Sequence, residues 1–197
     1  MIGTNLKRIR ETKNISIETI ARELRRKESV IHSWEMGISI PDEETIIKLA
    51  RFFNISIDDL LLPSDITIIY IDELKKDYKK IVRDLLIAYT EQSIGEGTVS
   101  CEIEDNKIKY LRKVYRNTQS QLGAYLDVSR ALINAWEMNL SRPSVSNIIS
   151  MSLKYKIAPS FFLQNNAKES VLLSGLTEEQ IEVVNLLVDS LLKLSRE

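Results

Sequence analysis

The sequence predicts a mainly α protein: two five-helix domains joined by a helical connector with short strands, followed by a C-terminal helix. Three observations carry this expectation. The chain repeats itself. Shifted by 102 residues, positions 6–61 align with 108–163 without a gap, and 13 of the 56 positions are identical, against roughly 3–4 expected from average composition. Within each copy, short apolar patterns of helical spacing alternate with residues that start and stop helices. Charge is also uneven. Residues 107–163 hold nine Lys and Arg against two Asp and Glu, whereas residues 1–62 balance at ten against ten. The expected domains are therefore 1–62, a connector 63–106, 107–163 and a tail 164–197.

With 197 residues, 44% hydrophobic and 28% charged, the chain is expected to fold and to be soluble. The single cysteine, Cys101, cannot form an internal disulfide, which fits a reducing cytoplasm. It reads as a half-buried small apolar residue. The first ten residues carry no apolar signal core, and no apolar run approaches the length that spans a bilayer. A cytoplasmic protein without membrane contact is expected. His32 has no second histidine or cysteine cluster to share a metal with, so no metal or cofactor is expected. Nor is an enzyme, because the chain holds no phosphate loop and no credible Ser/His/Asp or Cys/His set.

In the first copy, helices are expected at 5–13, 17–24, 28–36, 42–53 and 57–61. Gly37 suits a left-handed cap after the third, and Asn139 takes that place in the second copy. Pro41 precedes a fourth helix whose first turn holds Asp42, Glu43 and Glu44, the charge that the positive end of a helix dipole favours. Trp34 and Trp136 are expected in the core, with their ring N–H groups at the rim.

The connector opens with Pro63. The β-branched run 66–71 reads as a short strand. Asp72 is the expected cap of a long helix reaching about residue 92, with Leu74, Tyr78, Ile81, Leu85 and Ala88 as its apolar stripe, widened by Leu86 and Tyr89. After the turn at 95–97, residues 98–103 alternate at period two and form a candidate second strand, pairing with the first. The Lys-rich face of the helix and the acidic group Glu102, Glu104 and Asp105 read as solvated surface.

The second copy is the most informative stretch. Thr118 is a good N-cap, and Gln121 completes a capping box. Asp127 stands where the chain must turn, and Asp tolerates a left-handed backbone. Ser129 caps a further helix in which Leu132, Ile133 and Trp136 point inward, leaving Arg130, Ala131, Asn134 and Ala135 outward. Arg pairs with guanine and Asn with adenine in a major groove, while Ala leaves room or touches a thymine methyl.

These residues resemble the helix-turn-helix of the phage-repressor (Cro/C1, XRE) family. The resemblance rests on Gln119, Leu122-Gly123, Val128-Ser129-Arg130, Ile133 and Trp136-Glu137, and extends over residues 107–163. It implies two lambda-repressor-like helix-turn-helix domains. It also implies structural pairs, Arg10 with Glu35 and Arg112 with Glu137, bridging the first and third helices of each copy. Implied DNA-binding residues are Gln119, Ser129, Arg130, Ala131, Asn134, Ala135 and Arg142, with Gln119, Ser129 and the 139–142 loop on phosphates. The resemblance also implies double-stranded operator DNA as the partner, and a two-fold operator implies a homodimer.

The first copy departs from this pattern. Ile17 replaces Gln119, Arg25 replaces Asp127 and Glu28 replaces Arg130. Lys27, Glu28, Ser29, His32 and Ser33 remain as candidate DNA contacts there. The alternative is a protein-contact role for this copy. In the tail, Thr177 and Gln180 make a capping box, and the helix runs to about Leu194. Ile181, Val184, Val188 and Leu191 follow heptad-like spacing, and Val183, Leu186, Leu187, Leu192 and Leu194 add apolar surface on other sides, more than one shallow contact would bury, which suggests dimerisation ahead of packing on a repeat. The resulting expectation is a transcriptional regulator of repressor type. Competing readings are an accessory factor of a plasmid or mobile element, assembling a nucleoprotein complex at an origin, and an antitoxin- or sensor-like protein.

Overall fold

The computed structural model describes residues 2–89, 106–164 and 170–196. The chain divides into two compact units, one formed by Met1–Ile66 with Ser144–Ile149, the other by Thr67–Pro143 with Ser150–Glu197.

The first copy folds as α1 (Ile2–Thr12), α2 (Ile17–Leu24), α3 (Glu28–Glu35), α4 (Glu43–Phe53) and α5 (Ile57–Leu61). Local chemistry sets these limits. Ser16 accepts from the Thr19 N–H at 3.1 Å and starts α2. Asp42 accepts from the Thr45 N–H at 2.8 Å, so it caps α4 from outside the first turn. Ser56 and Asp59 form a capping box on α5. Leu6, Ile20, Ile31, Ile46, Leu49, Phe53 and Leu60 are buried. The buried Asn5 amide donates to the carbonyls of Leu60, at 3.4 Å, and Leu62, fastening α1 to the end of α5.

The second copy contributes α7 (Lys107–Val114), α8 (Gln119–Leu126), α9 (Arg130–Glu137), α10 (Val145–Tyr155) and α11 (Ser160–Leu163). Lys107, at the position equivalent to Asn5, donates to the carbonyls of Phe161 at 2.6 Å and Gln164 at 2.7 Å. The backbone repeats where the side chains do not. Left-handed residues recur in pairs 102 apart: Asn14 and Arg116, Arg25 and Asp127, Gly37 and Asn139, Asn54 and Lys156. The Gly37 and Asn139 turns are those expected from sequence.

The connector and tail build a second, smaller core. Strand β1 (Ile68–Tyr70) pairs antiparallel with β2 (Ser170–Leu172), Ile68 opposite Leu172. The strand at the start of the connector was expected to pair with 98–103. Its observed partner comes from the tail instead, and 98–103 lies outside the described residues, as do Cys101, the 95–97 turn and the acidic group at 102–105. Helices α6 (Lys76–Tyr89) and α12 (Glu178–Arg196) pack together over this pair of strands, burying Ile71, Leu74, Val82, Leu86, Val171, Leu173, Val184, Val188 and Leu191. Within the same unit, this smaller core is tied to the second copy through Lys156. Its carbonyl accepts from the Leu172 N–H at 2.9 Å, and its ammonium donates to the Ser174 carbonyl at 2.6 Å.

Two expectations for the connector helix are corrected. It begins at Lys76, not after Asp72, because residues 72–74 turn back with the Leu74 N–H on the Ile71 carbonyl at 3.1 Å. Of the expected stripe, Leu86 is buried and Tyr78, Leu85 and Tyr89 pack half-buried against the core, while Ile81 and Ala88 are exposed and Val82, not expected, is buried. The apolar residues form a broad band, and the position of α12 selects which edge of it is covered. For α12 the heptad positions Val184, Val188 and Leu191 are indeed buried, but against the connector of the same chain.

Candidate nucleic-acid interface

The site is built on α8 and α9. Thr118 and Gln121 cap α8 reciprocally, with bonds of 3.1 and 2.8 Å. Asp127 takes φ 53° and closes the helix. At Gly123 an added Cβ would stand 2.7 Å from the Val128 carbonyl oxygen, so glycine allows the turn to fold tightly onto α8. Ser129 then accepts from the Leu132 N–H at 3.1 Å and starts α9.

Ile133, Trp136 and Glu137 face inward from α9. Arg130, Ala131 and Asn134 are exposed and Ala135 is half-buried. Leu132 is 37% exposed, contrary to its expected inward place. With only two turns, the inward direction follows Ile133 and Trp136, and Leu132 lies about 100° from Ile133 around the axis. The Trp136 ring N–H is also corrected: it is buried with no acceptor in reach, not at the rim.

Arg112 holds Glu137 with two parallel hydrogen bonds, Nε to Oε1 at 2.5 Å and Nη2 to Oε2 at 3.0 Å. Arg10 holds Glu35 in the same way at 2.6 and 2.9 Å. Each guanidinium also reaches a backbone carbonyl, of Asn117 at 2.9 Å and of Ile15 at 3.4 Å. This bidentate geometry fixes the first helix of each copy against the third. Burial pushes the Glu137 carboxyl up. The hydrogen bonds from Arg112 and Gln119, with the Arg112 charge, outweigh that and hold its pKa below the ordinary glutamate value.

Gln119 has a place that sequence reasoning missed. Its amide donates to Glu137 Oε2 at 2.9 Å and to Asn134 Oδ1 at 3.1 Å. It thus braces α9 and orients Asn134. Residues 119, 134 and 137 meet only once the turn is formed, so no local spacing announces the contact. Behind the site, the Asn106 amide donates to the Trp136 carbonyl at 2.8 Å and to Asn139 Oδ1 at 2.9 Å, holding the loop that carries exposed Asn139 and Arg142.

The first copy presents the same frame with different chemistry. Lys27 sits at the cap of α3 without a side-chain bond, where Ser129 has one. Glu28, Ser29 and His32 are exposed, and the Ser33 hydroxyl lies 2.8 Å from that of Ser39. Ile17 stands in place of Gln119 and exposed Ile40 in place of Arg142. The amide brace on the third helix therefore has no counterpart at Ile17. Among the described residues no group of three His, Cys, Asp or Glu could hold a metal, and no helix is long and apolar enough to cross a membrane.

A fold of this kind, with an exposed Arg-Ala-Asn face on the helix after a tight turn, defines a DNA-binding class. The Helix-turn-helix family model matches residues 6–60 and 108–162. The chain belongs to the Cro/C1 (XRE) helix-turn-helix family, in two tandem copies. It is similar to the HTH-type transcriptional activator BcrR of Enterococcus faecalis, 30% identical over 76 residues, which are 39% of this chain and 37% of that protein. No solved structure gives a significant match.

Proposed function

We propose that the protein is a sequence-specific double-stranded DNA-binding transcription regulator in which the second copy is the main reader. The observation that supports this most is the outer face of α9. Arg130, Ala131 and Asn134 are exposed side by side, with Gln119 bracing Asn134, in the segment that concentrates the basic charge. Phosphate neutralisation needs that charge.

In this reading α9 lies in the major groove. Arg130 pairs with a guanine edge and Asn134 with an adenine, while Ala131 and Ala135 admit or touch a thymine methyl. Ser129, Gln119 and the loop to Arg142 sit nearest the phosphates and set the register. Gln119 serves the interface chiefly through Asn134. The first copy keeps the scaffold and makes a different contact, with a protein partner in place of bases.

Regulation follows from occupying a promoter. Repression was the expectation from sequence, whereas the relative is named an activator. The proposal is therefore promoter-bound regulation, its sign to be read by assay. Selection of bound oligonucleotides by the full chain, followed by a reporter carrying the selected site, tests it. A defined site whose occupancy changes transcription is expected. A site confined to an origin, with no transcriptional effect, would replace regulation by nucleoprotein assembly. No sequence preference at all would overturn the reading.

A further inference from the structure

The first copy carries a cleft of about 500 Å³ between the end of α2 and the second half of α4, lined by Glu23, Leu24, Arg25, Lys48, Arg51 and Phe52. Leu24 and Phe52 are half-buried and give it an apolar floor, while the charged residues are exposed around them. The surrounding charge is positive. Residues 22–27 hold four Arg and Lys against one acid, Glu23. The acids at the start of α4 are Asp42, Glu43 and Glu44, and Glu44 pairs Lys48 at 2.6 Å. Among the described residues, no ion pair engages Arg25 or Arg51.

The second copy is built differently at this place. Asp127 stands for Arg25, Ser150 for Lys48 and Leu153 for Arg51. Lys154 stands for Phe52, and its ammonium lies 4.3 Å from the centre of the Tyr125 ring, which stands for Glu23. A cation–π contact thus spans the position that the first copy leaves open. The copy that lacks Arg130 and Gln119 on its DNA-like face has its free guanidinium groups here instead.

An occupant must match both the apolar floor and the cations. A duplex offers phosphates, but nothing for Leu24 and Phe52. A small ligand in a cleft with so exposed a rim would leave much of its surface in water, whereas ligand pockets enclose most of it. A peptide segment with an apolar anchor between carboxylates meets both demands, and it continues over the surface beyond the cleft.

We infer that this cleft docks an acidic segment of a protein partner, with an apolar side chain on Leu24 and Phe52 and carboxylates on Arg25 and Arg51. The inference rests on the reading that the first copy meets a protein, and gives that contact its place and chemistry.

Selection of a random-peptide library on the full chain tests this. Peptides that join Asp or Glu to Leu, Ile or Phe should be enriched. For the peptide enriched most, Arg51→Glu should raise the dissociation constant at least about tenfold, because it sets like charges against each other. Phe52→Lys, the exchange already present in the second copy's frame, should weaken binding as well. Both variants should keep the native helical circular dichroism signal and the native affinity for the selected DNA site. No enrichment of acidic peptides, or an acidic peptide indifferent to either variant, would overturn the inference and leave DNA selection by the second copy untouched. A fall in DNA affinity with Arg51→Glu would instead overturn the reading on which it rests, by giving the first copy to DNA.

Discussion

Gln119 donates its side-chain amide to Oδ1 of Asn134 at 3.1 Å, across the turn that joins α8 to α9. The same amide reaches Glu137. One side chain at the start of α8 therefore links the exposed face of α9 to the buried ion pair beneath it. This relationship separates two roles for Gln119. A residue that only holds a phosphate weakens binding uniformly across sequences. If Asn134 reads a base as proposed, a residue that orients it also alters the preference at that base.

Gln119→Ala is accordingly expected to lower affinity by about 1–3 kcal/mol, the scale of one base contact, and to relax preference at one position of the site. Selected-oligonucleotide binding of the variant measures this. A loss spread evenly over all positions would leave Gln119 as a phosphate contact alone.

The Arg112–Glu137 pair is expected to carry stability and not recognition. Arg112→Ala leaves Glu137 buried without its guanidinium, a change that costs about 3–5 kcal/mol when the pair is well shielded. The pKa of Glu137 lies below its unfolded value. Its stabilisation is therefore present above the unfolded carboxylate range and is lost as pH falls through the folded pKa. Urea unfolding of the native chain and of Glu137→Gln, at neutral pH and near about pH 4, should show a smaller acid loss in the variant. An equal loss in both would remove Glu137 from the acid response.

Gly123→Ala places a Cβ 2.7 Å from the Val128 carbonyl oxygen. The turn must open, and a destabilisation of about 1–3 kcal/mol is expected, as for other overpacked sites. Because the turn aims α9, DNA affinity should fall more than stability does. The first copy already has alanine here, Ala21. Thermal unfolding and binding of the variant, measured side by side, check both parts.

Arg25 holds a left-handed backbone, φ 52°, where the second copy has Asp127. Arg25→Gly relieves a conformation that disfavours side chains. An increase in stability of up to about 1 kcal/mol is expected, with no effect on DNA binding by the second copy. A drop in affinity would give the first copy a part in recognition.

Much of this molecule is written locally in its sequence. The Thr118 and Gln121 capping box, the Ser129 cap and the left-handed turns at Asp127, Gly37 and Asn139 are all readable, because each depends on residues within one turn of each other. The repeat made the Arg10–Glu35 and Arg112–Glu137 pairs legible too. What could not be read is non-local. The pairing of β1 with β2 joins residues about a hundred positions apart. The exposure of Leu132 and Ile81 depends on which side of a broad apolar band a neighbouring element covers. The contact of Gln119 with Asn134 exists only when the turn has folded.

In the proposed function α9, and not α3, reads DNA. Arg130→Ala and Ser29→Ala remove side chains at the exposed starts of these two helices. Affinity of each variant for the selected site, measured at one fixed salt concentration, compares them directly. Arg130→Ala should lose about 1–3 kcal/mol of specific binding, and Ser29→Ala should bind nearly as the native chain does. If Ser29→Ala abolishes binding while Arg130→Ala leaves it intact, the assignment of the reader is reversed.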